Sequence, residues 1–292
     1  MAGEVKLSGA IRANLLSLQQ TASLVARTQA RLSTGLKVAS AIDDAVAFFQ
    51  SKALSDRAGD LTGKKDGIDQ GISSLTTALQ AVESDEDVFS QMKGLVLSAK
   101  SGSAADRATL AAQFNELAQQ SNNLINDSSY QGLNLVNATA NILKVSFSEK
   151  TGSALNVDGA NLLASNFVGL STFAASIAST GITLFVNASV SWSTVSNSIS
   201  LFDNVIDILD SAITTIRTNA ATLGSNVSLL QTRLDFTTSY VDTLTGGSDK
   251  LTLADLNEEG ANLVALQTRQ QLATQALAFA GMAEQAVLQL FT

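Results

Sequence analysis

The sequence predicts a mainly α protein: a long helical coiled-coil bundle built from both chain ends, with a small β-hairpin region in the middle. Three observations carry this. The 292 residues contain no proline, whereas average usage of about 5% would give roughly fifteen, and long unbroken helices suit that absence. Near both ends, apolar residues recur at alternating steps of three and four. Between about 129 and 196, "LKVSFS" and "ITLFVNASVSWS" alternate apolar with polar or small residues, among glycines and asparagines, as short strands and turns do.

The first helix runs from Ser8 to Thr34, with a seam of Ile11, Leu15, Leu18, Ala22, Val25, Gln29, Leu32 and Leu36. At about 1.5 Å per residue it is roughly 40 Å long. Leu16, Leu24 and Ala30 lie off that seam, so the helix is apolar on more than one side. "STGLKVASAIDD" interrupts the pattern. Asp43 and Asp44 then suit the start of a second helix, where carboxylate oxygens accept from free N–H groups. That helix continues to about Ala99 along Ile68, Ile72, Leu75, Leu79 and Val82, and "KSGSAAD" ends it. A shorter helix follows over Ala104 to Asp127. Helix resumes near Asn197 and runs to about Thr243, "TGGSDK" predicts a turn, and a last helix begins near Ala254.

The last helix carries two apolar stripes where one core face needs only one. Leu272, Ala276, Phe279, Ala283, Ala286 and Leu290 make the first; Leu263, Leu266, Ala273, Leu277, Ala280, Val287 and Phe291 make the second. A bilayer does not explain them. Seven Gln, Thr and Glu residues interrupt the segment, and a spanning helix wants about 20 mostly apolar residues. A membrane-surface helix would be rich in Lys and Arg, and Arg269 is the one basic residue here. Another protein surface is the better cover. Charge predicts that the chain ends meet: residues 1–42 are net basic and residues 252–292 net acidic.

Composition narrows the function. No Cys and no His remove thiolate chemistry, the commonest general base and the commonest transition-metal ligands. A net charge of −8 without a basic stripe argues against nucleic acid. No catalytic constellation or cofactor motif is present, so neither an enzyme nor a cofactor is predicted. "ESDED" (Glu83 to Asp87) lacks the glycine turn and distal Glu of a calcium loop and reads as a solvated helix face. Gly59, Gly63, Gly67 and Gly71 recur every fourth residue inside a helix, at a cost of about 1 kcal/mol each. They are a candidate close-packing face for a neighbouring chain. "MAGEVKLSGAIRANL" has no apolar signal-peptide core, so export by that route is not expected.

Several ordered motifs together resemble bacterial flagellin. "RLSTGLKVASAIDDA" holds the family's Arg-Leu-Ser/Thr-x-Gly turn and Asp–Asp helix start, here Arg31 to Gly35 and Asp43–Asp44. "DRATLAAQFNELAQQSNNLINDSSYQGLNLV", "ATLGSNVSLLQTRLDF" and "NEEGANLVALQTRQQLATQALAFAGMAEQAVLQLF" are similar to later stretches of the family. The flavour is alphaproteobacterial, the variable region is short, and Ala39, Ala47, Phe48 and Phe49 depart from many members.

The resemblance implies a structural subunit that self-assembles into the helical bacterial flagellar filament for motility. It implies an inner coiled-coil domain from residues 1–42 and 252–292. Residues 43–251 would form an outer shell of long helices with the β-rich insert at about 129–196. It assigns Ile11, Leu15, Leu18, Val25, Leu32, Leu263, Leu266, Leu272, Leu277, Phe279, Val287, Leu290 and Phe291 to the inner coiled coil and self-assembly. Gly35, Asp43 and Asp44 form a turn and cap at the domain junction. Implied partners are copies of itself, hook-associated junction and cap proteins, and the flagellar type III export apparatus with its chaperone, with no membrane insertion. Localisation would be the secreted, extracellular filament. The nearest rival is a hook–filament junction protein, and a membrane-surface protein and a carboxylate enzyme are weaker. Before assembly the two ends lack most of their apolar cover and should be largely disordered. Limited proteolysis of the monomer should therefore remove both ends before it cuts residues 50 to 240, and equal resistance would contradict this.

Overall fold

The computed structural model describes residues 9–148, 152–167 and 199–289. Among these, the helices are α1 (Gly9–Thr34), α2 (Ala45–Ser101), α3 (Ala104–Asp127), α4 (Ile199–Thr252) and α5 (Leu256–Gln289). Strands β1 (Ile142–Ser146) and β2 (Ala154–Asp158) pair antiparallel, with Leu143 opposite Val157 and Val145 opposite Leu155. The architecture is mainly α with a small two-stranded sheet in the middle, as the sequence predicts. The strand stretch "ITLFVNASVSWS" lies outside the described residues. By packing, the chain divides into Met1–Ala58 with Asp242–Thr292, and Gly59–Val241. Both divisions fall within helices.

In the unit of residues 59–241, three helices supply the core at heptad spacing. Ile68, Leu75, Val82 and Phe89 of α2 are fully buried, as are Ala111, Ala118 and Ile125 of α3 and Leu209, Ile216 and Leu230 of α4. The α2 and α3 sets step by sevens, as does the α4 set once the buried Leu223 is included, the repeat that keeps one face toward a partner helix. Ion pairs Glu86–Arg217 (2.7 Å), Lys93–Asp210 (2.5 Å) and Lys100–Asp203 (2.5 Å) fix the register of α2 against an antiparallel α4. Every step of seven along one helix matches a step of seven back along the other. Such surface pairs contribute about 0–1 kcal/mol each, so they select the register more than they stabilise it. Ser103 and Asp106 cap α3 reciprocally.

Glycine row and hairpin meet at Gly71. A Cβ there would stand 2.6 Å from Val145 Cγ2 and 3.3 Å from Leu230 Cδ1, so only a bare backbone lets β1 pack on α2. Gly71 is thus filled from within the subunit, which removes it from the predicted face for a neighbouring chain.

Two expectations are corrected. "TGGSDK" is not a turn: α4 runs through it to Thr252. Leu244 and Ser248 are buried, and the Ser248 hydroxyl shares a 2.8 Å hydrogen bond with that of Ser51, so packing outweighs the helix cost of Gly246 and Gly247. The turn comes at Leu253–Asp255. There Lys37 N–H donates to the Thr252 carbonyl (2.8 Å) and Ala254 N–H to that of Gly35 (2.9 Å), tying the two interhelical loops together.

The second correction is in "ESDED". Asp85 is fully buried, between Val82 and Phe89 on the core face of α2. One carboxyl oxygen accepts a 2.5 Å hydrogen bond from the Ser121 hydroxyl of α3, and the other has no partner. The nearby charges Glu86 and Arg217 are paired to each other. Among the described residues no cation pairs with Asp85. Burial pushes its pKa up to about 7, against a smaller lowering by Ser121. Folding therefore tightens proton binding. The stability this contributes is complete below the unfolded value of 3.8 and is lost as pH rises through about 7. Asp85→Asn should keep the bond to Ser121 and raise the melting temperature at pH 8, by roughly 2–4 kcal/mol of stability. The gain should vanish near pH 4, and thermal melts across that range check it.

Candidate assembly surface

The chain ends form their own antiparallel helix pair, and their linking loops are set by local chemistry. Gly35 ends α1 with φ of 71°, a left-handed conformation suited to glycine, and its N–H donates to the Arg31 carbonyl (2.8 Å). Asp43 and Asp44 divide their work. Asp44 Oδ1 accepts from Ala47 N–H (3.0 Å) and caps α2. Asp43 Oδ2 accepts from Ala39 N–H, Ser40 N–H and the Ser40 hydroxyl, folding the preceding loop; these bonds hold its carboxyl below the usual range. Asp255 accepts from Asn257 N–H (2.9 Å) at the start of α5.

The predicted meeting of the ends occurs at one direct ion pair. Arg31 donates to Glu259 at 2.8 Å, and Glu259 is buried. Along the pair, α5 turns Leu263, Leu266, Ala273, Leu277 and Ala280 inward, all half-buried. The other stripe has no cover among the described residues: Leu272 is 61% exposed and Phe279 68%. Val264 and Met282 widen the exposed apolar area.

On α1 the inward edge is Ile11, Leu18, Thr21, Val25, Thr28 and Leu32. It keeps Ile11, Leu18, Val25 and Leu32 of the expected seam but takes Thr21 and Thr28 where the sequence suggested Ala22 and Gln29. Thr21 buries its methyl while its hydroxyl donates to the Ser17 carbonyl (2.9 Å). Leu15, 39% exposed, leaves the internal seam and joins Leu16 and Leu24 facing outward. Leu290 and Phe291 lie outside the described residues, and only the helical backbone of Val287 is described.

Outward apolar groups also occur where the sequence raised no assembly signal. Ile42, Val46 and Phe49 are exposed near the start of α2. On α4, Phe236 is exposed and stacks on Tyr240 at 5.9 Å. Val46 and Phe49 fall in the short apolar run Ala45–Phe49, and Ile42 and Phe236 stand outside any seam, so periodicity did not mark them as a surface. Gly59, Gly63 and Gly67 are exposed with open space where a Cβ would stand.

Among the described residues no group of three or more His, Cys, Asp or Glu could hold a metal, and no helix is long and apolar enough to cross a membrane. Paired chain ends with one apolar stripe covered and another bare define a helical structural protein. Comparison identifies which kind. Residues 8–141 match the bacterial flagellin N-terminal helical region and residues 206–291 the C-terminal helical region. Flagellin FljO of Caulobacter vibrioides is 32% identical over 287 residues, 97% of this chain and 96% of that one. A flagellin of Brucella melitensis is 27% identical over 292 residues, 100% and 99% of the two chains. A solved structure described as a flagellar hook-associated protein from Vibrio parahaemolyticus covers 71% of this chain and 99% of its own, with TM-score 0.56 and 13% identity. At that identity the likeness is one of fold alone. The chain belongs to the bacterial flagellin family, and its function is that of a structural subunit of the flagellar filament.

The glycines separate by experiment. Gly71→Leu must displace Val145 and should cost about 1–3 kcal/mol. Gly63→Leu meets open space among the described residues and should leave the melting temperature unchanged or raise it slightly. Thermal denaturation of the two variants decides.

Proposed function

We propose that this flagellin polymerises through the apolar surfaces its own chain leaves bare: Leu272 and Phe279 on α5, and Leu15, Leu16 and Leu24 on α1. The observation that carries this is the exposed stripe of α5. It repeats at helical spacing from Leu272 through Ala276, Phe279, Ala283 and Ala286, yet α1 covers only the stripe of Leu263 and Leu266. A Phe or Leu moved from water into a packed contact is worth about 1.5–3 kcal/mol, and a filament repeats that gain at every subunit. Contacts between unlike patches on successive copies do not close into a ring, so they generate an open helical filament. Gly59, Gly63 and Gly67 offer a second, bare face on which a neighbour can approach closely.

In this reading the chain is not an enzyme. It leaves the cell through the flagellar type III export apparatus, with an export chaperone, and works in the extracellular filament. Junction and cap proteins of the hook-associated class meet its two ends. The absence of proline and cysteine removes the slowest isomerisation and disulfide steps from folding at a growing tip.

Seeded polymerisation followed by negative-stain electron microscopy tests the reading, comparing the full chain with one ending at Lys250. Smooth filaments from the full chain alone are expected. Filaments from both would remove α5 from assembly, and none from either would overturn self-assembly through these surfaces.

A further inference from the structure

Arg269, the one basic residue in the last helix, stands beside Arg27 and Arg31 of α1 in an open cleft of about 360 Å³. Among the described residues Glu259 is the one carboxylate lining it, and Arg31 already holds it at 2.8 Å. Arg27 and Arg269 are exposed, and among the described residues neither forms an ion pair. The cleft therefore keeps two unmatched guanidinium groups, with Leu24 and Asn262 in its walls. Guanidinium forks recognise carboxylates in bidentate geometry. Yet among the described residues no further carboxylate lines it, although the chain is acidic overall.

The acid lies elsewhere along the chain. Residues 59–241 hold sixteen Asp and Glu against nine Lys and Arg, whereas the remaining residues hold ten against nine. Copies of one chain thus offer each other complementary charge: a basic cleft in the paired ends and an acidic excess in the middle. We propose that this cleft is an ionic seat for a second copy, in which Arg27 and Arg269 take an exposed carboxylate of a neighbouring subunit. The proposal rests on the filament reading and adds charge pairing to its apolar contacts. Apolar burial supplies most of the attraction, and the arginines set the register in which copies meet.

The test uses the full chain and sheared wild-type filaments as seeds. In about 50 mM NaCl, R27E/R269E should raise the critical concentration for growth about tenfold, and the gap should narrow at about 500 mM as salt screens the charges. R27K/R269K should stay within about threefold of wild type, because it keeps both charges but loses the fork. An unchanged critical concentration for R27E/R269E would overturn the proposal, and so would a loss that salt does not alter, which signals damaged packing. Failure of the wild-type chain to extend seeds would instead overturn the self-assembly reading. Carbodiimide treatment of filaments mixed from isotope-labelled and unlabelled R27K/R269K chains gives an independent readout. Amide links between labelled and unlabelled chains at positions 27 or 269 are expected, and links confined to Glu259 of the same chain would refute the seat.

Discussion

The antiparallel pairing of α1 with α5 is the contact on which the chemistry of the chain ends depends. A helix can offer one stripe to one partner, and α5 has two. Leu263, Leu266, Ala273, Leu277 and Ala280 turn toward α1, while Leu272 and Phe279 are left in water. The backbone ties between residues 35–38 and 252–254, and the buried end of the Arg31–Glu259 pair, fix which way α5 turns. With that turn fixed, the choice of exposed stripe follows. For an isolated chain the bare stripe is a standing cost; in the proposed assembly it is the means of association.

The unit of residues 59–241 solves a different problem. Its three helices and hairpin bury a core at heptad spacing, and the ion pairs at seven-residue steps exclude neighbouring registers of α2 on α4. Two residues in it give up local stability. Gly71 gives up helix propensity so that Val145 can reach the helix backbone, and Asp85 occupies a core position where its charge is disfavoured. The first is repaid by the packing of β1. For the second, the hydrogen bond from Ser121 satisfies one oxygen only, and the structure shows no compensating cation among the described residues.

The sequence by itself determined the helices and, apart from the end of α4, their approximate ends, the early strand, the two stripes of α5 and the meeting of the chain ends. These follow from periodicity, capping residues and charge, which act over a few residues. Asp44 and Gly35 do locally what their side chains, or the lack of one, predict. Only the tertiary structure decided the rest. An amphipathic pattern counts apolar faces but does not name their partners. Hence Leu15 turned outward while Thr21 and Thr28 entered the seam, and α4 continued through Gly246 and Gly247 because Ser51 and Leu244 made packing there favourable. Asp85 looked solvated because its neighbours Glu83, Glu86 and Asp87 are acidic, yet its heptad position, three residues after Val82 and four before Phe89, placed it inside. Position relative to a partner helix outweighed the character of the residue, since burial is set by where the partner lies.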